Sequence, residues 1–305
     1  MTLQQLRYLC AVDDAHSFAE AAAACGVTQP TLSAMVAKLE GELGGRLFDR
    51  RRKPVVATRL GGLVVARARR VLAEAAAIPQ LVAESREALD GPLRVGILPT
   101  IAPYLLPLFI GAFTADHPEV DLTLHELTTE EIVARVREGA LDIGVVATPY
   151  PGFGGLRAAP LFDEEFVAYT ARAARGRYLL VEDIDPDELW VLAEGHCFGD
   201  QVLDLCALSR TSHPFTYATG SIDTLKRLVE AQGGVTVLPR LALHGLGPAE
   251  LARVRPFAPP APRRTVCLLT EHDYVRQRVV RVLAEAIAGA VTGVLNTAAP
   301  APDVD

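Results

Sequence analysis

The stretch Glu194-Gly195-His196-Cys197-Phe198-Gly199-Asp200-Gln201, followed by Cys206, gathers the side chains best suited to chemistry. A thiol becomes nucleophilic and oxidisable by losing its proton, so its surroundings set its reactivity. His196 adjoins Cys197 and can favour a thiolate by charge or by a hydrogen bond. Asp200 opposes one unless it faces away or orients a donor. A second thiol nine positions on makes a redox couple one reading of the pair. Two others stand beside it: ordinary buried thiols behaving as small hydrophobes, or metal ligation by His196, Cys197, Cys206 and His213. The Cys-x8-Cys spacing matches no common zinc pattern, so no metal is expected, and nothing in the sequence asks for a cofactor. Cys10, Cys25 and Cys267 fall in a helix pattern, a tight turn and a strand pattern, and are expected in cores.

The chain around this pair has 305 residues, enough for two or three domains with cores of their own, and half of it is hydrophobic. Five cysteines over this length do not make a secreted disulfide scaffold, and residues 1–30 carry acids rather than the pattern of a secretory leader. The expected compartment is the cytoplasm, where thiols are kept reduced. Leu93 to Phe113 is nearly all apolar, but Arg94, Pro99, Pro103 and Pro107 interrupt it. A buried strand over 93–98, a turn and a helix are expected there, and no membrane span. The net charge of −7 is uneven: residues 1–89 hold twelve Lys and Arg against nine Asp and Glu, the remainder eighteen against twenty-eight. A mildly basic head on an acidic body suits a protein that meets nucleic acid at one end.

The first ninety residues carry helical spacing. Leu3, Leu6, Leu9 and Val12 share a face. Ser17 caps the run Phe18-Ala19-Glu20-Ala21-Ala22-Ala23-Ala24, and Cys25-Gly26-Val27 turns. Thr28 or Gln29 opens a further helix with Pro30 in its first turn, and Leu32, Val36, Leu39 and Leu43 form a stripe expected to be buried. Helix, glycine-containing turn, helix is the helix-turn-helix arrangement. Residues 47–58 are expected to form a two-stranded wing with basic residues at its tip. From Arg59 to about Leu89 a long helix is expected to run on and dimerise through Leu60, Leu63, Val64, Val71 and Leu72, until Asp90-Gly91-Pro92 stops it as a hinge. Strand patterns over 93–97, 120–124, 143–146, 179–181, 235–238 and 266–269 then alternate with helical ones, which predicts α/β lobes with mainly parallel sheets. The tail from Thr297 is expected to be disordered.

Recognition helices bring polar side chains of their first turns to base edges in the major groove. Thr28, Gln29, Pro30, Thr31 and Ser33 occupy that start, with Lys38 further along, and Gln can bond adenine through two atoms. Arg50, Arg51, Arg52 and Lys53 are placed for phosphates. The blander alternative is a helix cap beside a solvated basic loop. The wider pattern favours DNA: Phe18-x-x-Ala21-Ala22, Gln29-Pro30-Thr31-Leu32-Ser33, Lys38-Leu39-Glu40, Leu43-Gly44, Leu47-Phe48-Asp49-Arg50 and Thr58-x-x-Gly61 closely resemble the LysR-type transcriptional regulators. The resemblance implies an N-terminal winged helix-turn-helix, a long linker helix, and a two-lobed periplasmic-binding-protein-like α/β regulatory domain. It also implies promoter DNA and RNA polymerase as partners, and self-association as dimers and usually tetramers.

Within that family the segment from Gly195 to Cys206 is similar to the hydrogen peroxide sensors. So are Gly91-Pro92-Leu93, Pro99-Thr100, Pro103-Tyr104-Leu105-Leu106-Pro107, Leu161-Phe162-Asp163-Glu164 and Pro262-Arg263-Arg264-Thr265. This similarity implies that Cys197 is oxidised by peroxide to a sulfenic acid and that Cys206 condenses with it to a disulfide, which a thiol reductant such as glutaredoxin or thioredoxin reverses. It implies that Thr100 and Thr129 line the peroxide pocket. His196 and Asp200 are expected to support the thiolate, with Arg263 or Arg264 supplying positive charge, since Gly199 stands where such sensors often carry a basic residue. If 197–206 were helical, the two Cα atoms would lie about 13–14 Å apart at the helical rise, against roughly 4.4–6.8 Å in a disulfide, so bridging would remodel the segment.

The expected organisation is a DNA-binding domain over 1–60, a linker over 61–90, and a regulatory domain over 91–296. In the last, lobe I covers about 91–161 and 267–296 and lobe II about 162–266. A regulator answering to a small ligand between the lobes, with incidental cysteines, is the alternative. A thiol peroxidase is a third class, disfavoured because a DNA-binding head would then have no purpose, so no enzyme is expected.

Overall fold

The computed structural model describes residues 1–85, 89–171, 178–192, 199, 201–202 and 221–295. The chain divides into two units, one of Met1–Ala88 with Arg137–Ala140 and the other of Leu89–Val136 with Leu141–Asp305.

In the N-terminal unit, α1 (Leu3–Ala15) starts at Thr2, whose hydroxyl accepts from the Gln5 amide at 3.2 Å while the Gln5 carboxamide accepts from Thr2 N at 2.8 Å. Ser17 caps α2 (Phe18–Ala24) and Thr28 caps α3 (Gln29–Leu43), which closes at Gly44 in the left-handed region, φ 71°. Leu6, Leu9, Val12, Phe18, Ala21, Leu32, Val36 and Leu39 form one core with Leu47 and Phe48. The predicted stripes each lose their end member: Leu3 is 44% and Leu43 43% exposed. Both stand in the outermost turn of their helix, and the core stops short of them.

The wing is a short antiparallel pair, β1 (Phe48–Asp49) and β2 (Val56–Ala57), which leaves residues 50–55 as its tip. Next comes α4 (Arg59–Ser85), 27 residues and about 40 Å long at the helical rise. Thr58 fixes its start. The Thr58 hydroxyl donates to Arg46 O and accepts from Gly61 N, both at 2.9 Å, and Thr58 N donates to Leu47 O at 2.8 Å. A Cβ on Gly61 would lie 1.8 Å from the Leu47 carbonyl oxygen, so helix and wing strand meet backbone to backbone and only glycine fits. Arg69 ties α4 to α1 through Asp13 at 2.8 Å and Asp14 at 2.7 Å. Val65 and Ala68 turn into the core, and Val64 and Leu72, expected to need a partner chain, pack partly against it. Leu60, Leu63, Val71 and Ile78 remain exposed.

The C-terminal unit is built on β3 (Gly91–Ile97), β4 (Val120–Glu126), β5 (Ile143–Thr148), β6 (Leu156–Thr170), β7 (Leu189–Trp190), β8 (Val235–Pro239), β9 (Val254–Pro256) and β10 (Arg263–Glu271). Their order is β4-β3-β5-β10-β6-β8-β7, with β9 beside β6. The sheet is mixed rather than mainly parallel. β3 runs parallel to β4 and β5, and β7 to β8, but β10 is antiparallel to β5 and β6, and β6 to β8 and β9. The reason is connectivity: β6 leaves the first lobe and β10 returns to it, so the two run in opposite directions. One apolar core lies around Val95, Ile97, Phe109, Ile132, Val145 and Leu283, under α5 (Ala102–Asp116), α6 (Thr129–Arg137) and the last helix (Gln277–Leu295). A second lies around Phe166, Tyr169, Leu225, Val229 and Val237, and Tyr104 packs against both.

Three expectations change. Leu179 makes a single bridge to Phe257 and residues 181–183 form a 3-10 turn, so 179–181 is no strand. Gly91 and Pro92 already belong to β3, paired with Val120 and Asp121, so they are sheet and not free hinge. The 15-residue β6 was unforeseen. Among the described residues no helix is long and apolar enough to cross a membrane. The tail from 297 lies outside the described residues.

Candidate functional site

The start of α3 presents the residues predicted to meet DNA. Thr28, Gln29, Pro30, Thr31 and Lys38 are exposed and Ser33 is half-buried. Thr28 does two things: its hydroxyl accepts from Thr31 N at 3.4 Å as the helix cap and lies 2.8 Å from the Thr31 hydroxyl. At the wing tip Arg51, Arg52 and Lys53 are exposed, and Arg52 stands 3.5 Å from Asp49.

Arg50 is different from its neighbours. Its guanidinium donates to Ser33 Oγ at 3.0 Å and Glu40 Oε2 at 3.1 Å, and lies 4.6 Å from the centroid of the Phe18 ring. Glu40 in turn accepts from Leu47 N at 2.8 Å and Phe48 N at 3.3 Å. These contacts brace the wing against α2 and α3. The expected phosphate ligand thus also acts as a strut, and the Glu40 of Lys38-Leu39-Glu40 is its anchor, which sequence reasoning missed.

In the regulatory unit, the order β4-β3-β5 puts the first strand in the middle, so the chain reverses direction across β3. Open α/β sheets bind ligands beyond the carboxyl ends of the strands at such a point. Thr100 follows β3 and Thr129 opens α6 after β4, and each is 2% exposed. The Thr129 hydroxyl has no hydrogen-bond partner among the described residues, and neither end of the buried Gln201 carboxamide has one. A buried polar atom without a partner is costly in a finished core and expected in a site built to receive a polar molecule.

Arg264 lies at this place, 1% exposed, directly across the strands from Glu164, itself 0% exposed. Its Nε donates to Glu164 Oε2 at 2.9 Å, one terminal nitrogen donates to Thr100 Oγ1 and the other to Thr100 O, each at 3.2 Å. Glu164 Oε1 accepts from Leu241 N at 2.7 Å. Arg264, expected to lend positive charge to the thiolate, is paired with the Glu164 carboxylate. Arg263, by contrast, is exposed and 3.5 Å from Asp163. Cys197, Cys206, His196 and Asp200 lie outside the described residues.

The remaining thiols pack in or against apolar cores. Cys10 and Cys267 are buried, and burial pushes the Cys10 thiol up to about 11 and raises that of Cys267. Cys25 is half-buried against the head's core. Among the described residues no group of three or more His, Cys, Asp or Glu could hold a metal ion.

Residues 3–62 match the model of the bacterial regulatory helix-turn-helix protein, lysR family, and residues 86–292 match the LysR substrate binding domain. The chain belongs to the LysR family. It is 32% identical to the hydrogen peroxide-inducible genes activator of Haemophilus influenzae over 97% of this chain and 99% of that protein. It is 36% identical to the HTH-type transcriptional regulator EstR of Acinetobacter baylyi over 88% of this chain and 90% of that one. Among solved structures, a full-length OxyR variant from Pseudomonas aeruginosa superposes with a TM-score of 0.78 at 36% identity, covering 94% of this chain and 98% of that chain. The protein is thus a DNA-binding transcriptional regulator of the LysR family, OxyR type, with a helix-turn-helix head and a two-lobed regulatory domain.

Proposed function

We propose that this chain senses hydrogen peroxide through Cys197 and Cys206 and answers by changing how it binds promoter DNA. One observation carries the reading: a chain aligned over nearly its whole length with a regulator named for hydrogen peroxide has two cysteines nine positions apart, beside His196. In the first step the Cys197 thiolate attacks one peroxide oxygen. The S–O bond forms, the O–O bond breaks, and the leaving hydroxide takes a proton to become water. In the second, the Cys206 thiolate attacks the sulfenic sulfur, the S–S bond forms, the S–O bond breaks, and the leaving hydroxide takes a proton to become a second water. Thr100 and Thr129 offer hydroxyls to the peroxide, His196 and Asp200 set the proton balance at Cys197, and a thiol reductant such as glutaredoxin or thioredoxin returns the pair to thiols. Reduced and oxidised forms hold promoter DNA in different subunit arrangements, and the oxidised form recruits RNA polymerase.

The experiment is a footprint on promoter DNA with reduced protein, after peroxide, and after re-reduction. The proposal expects a reversible change in the protected span. A footprint unchanged by peroxide but shifted by a small metabolite supports the second reading, a ligand-responsive regulator, which the match of residues 86–292 to the LysR substrate binding domain favours.

A further inference from the structure

Glu164 is absent from the oxidation chemistry above, yet no carboxylate among the described residues is more deeply buried. It accepts from Arg264 Nε at 2.9 Å, is 2.8 Å from a second guanidinium nitrogen, and accepts from Leu241 N at 2.7 Å. Paired with Glu164 in this way, the guanidinium donates to both Thr100 Oγ1 and Thr100 O. A hydroxyl has a single proton. With Arg264 occupying an acceptor site on Thr100 Oγ1, that proton is directed away from the guanidinium, and the charge-assisted bond polarises the hydroxyl as a donor. We propose that Glu164 is a positioning residue for peroxide reduction: acting through Arg264, it holds the Thr100 hydroxyl as a hydrogen-bond donor to the departing peroxide oxygen. This rests on the peroxide-sensing reading. The hydroxide that leaves when the S–O bond forms is the group such a donor stabilises.

Substituting Glu164→Gln leaves one carbonyl oxygen to serve two donors, Leu241 N and Arg264, and turns an amide N–H towards one of them. Arg264 then loses its fixed orientation and Thr100 its proton direction. The test is the rate of Cys197 sulfenic acid formation against peroxide concentration in the full-length chain, run beside the rate of Cys197 alkylation by iodoacetamide, a reaction that needs the thiolate and no donor. The expected result is a fall of about tenfold in the peroxide rate with no fall in alkylation. Combining E164Q with Thr100→Val should add less than about twofold to the loss from T100V alone, because both changes remove the same donor. If E164Q does not fold, Glu164→Asp keeps the charge, withdraws it by one methylene and should give the same split. Equal falls in both rates, additive losses with T100V, or no change in either variant would overturn the role of Glu164. A wild-type chain that peroxide does not label at all would instead overturn the sensing reading beneath it.

Discussion

Replacing Arg50 by Ala separates a strut from a phosphate contact. The side chain is 40% exposed and Glu40, its partner, 12%. A hydrogen bond to a charged group contributes about 1.5–3 kcal/mol when buried, and solvent at this exposure brings the pair down towards roughly 1 kcal/mol. The stacking on Phe18 adds about 0.5–1 kcal/mol. Glu40 is not orphaned, because it keeps Leu47 N and Phe48 N. The expected loss is therefore about 1–2 kcal/mol, a 5- to 30-fold rise in opening of the wing. Hydrogen exchange of peptides spanning 47–58 reads this directly. Trp190, the single tryptophan, belongs to the regulatory unit, and its fluorescence should stay unchanged. Arg51→Ala and Arg52→Ala should leave exchange alone and instead each lower the salt slope of DNA binding by about 0.9. Unchanged exchange in Arg50→Ala, with the slope lowered by the same amount, would refute the strut.

Gly61→Ala forces a methyl group against the Leu47 carbonyl and should destabilise the head by roughly 3 kcal/mol, seen as loss of helix signal at lower urea. Leu63→Asp with Ile78→Asp, both exposed on α4, should reduce the oligomer to smaller species in light scattering while the head's helical content stays intact. The Cys10 thiol, raised to about 11, should resist iodoacetamide at pH 8 in the native chain and react after unfolding. Because its folded pKa lies above the unfolded value, the stability it contributes is whole below about pH 9 and is lost as pH rises towards 11, so urea midpoints should fall across that window.

Much of the head was legible in the sequence because its signals are local. Ser17 and Thr28 cap where their residue types say they should, and the glycines at 44 and 61 mark a left-handed turn and a backbone contact. The bracing contacts of Arg50 were not legible because basic residues at a wing tip look alike until Ser33, Glu40 and Phe18 are brought beside one of them. In the regulatory unit β6 escaped notice because Asp163, Glu164 and Glu165 interrupt its apolar pattern at the point where it crosses between two cores. The partnership of Glu164 with Arg264, a hundred positions away, has no local signal at all, although each falls in a stretch the family resemblance had marked. The sheet's mixed direction follows from β10 returning, which strand patterns alone do not reveal.

The central claim is that oxidation joins Cys197 to Cys206. Mass spectrometry of peptides from full-length protein, digested without reductant after a brief peroxide pulse, tests it most directly. The account predicts a Cys197–Cys206 linked peptide that disappears on reduction. It also predicts, in Cys206→Ser, a sulfenic acid at Cys197 without the link, since attack on peroxide needs one thiol. Both cysteines recovered as free thiols after peroxide, with promoter binding unchanged, would contradict it.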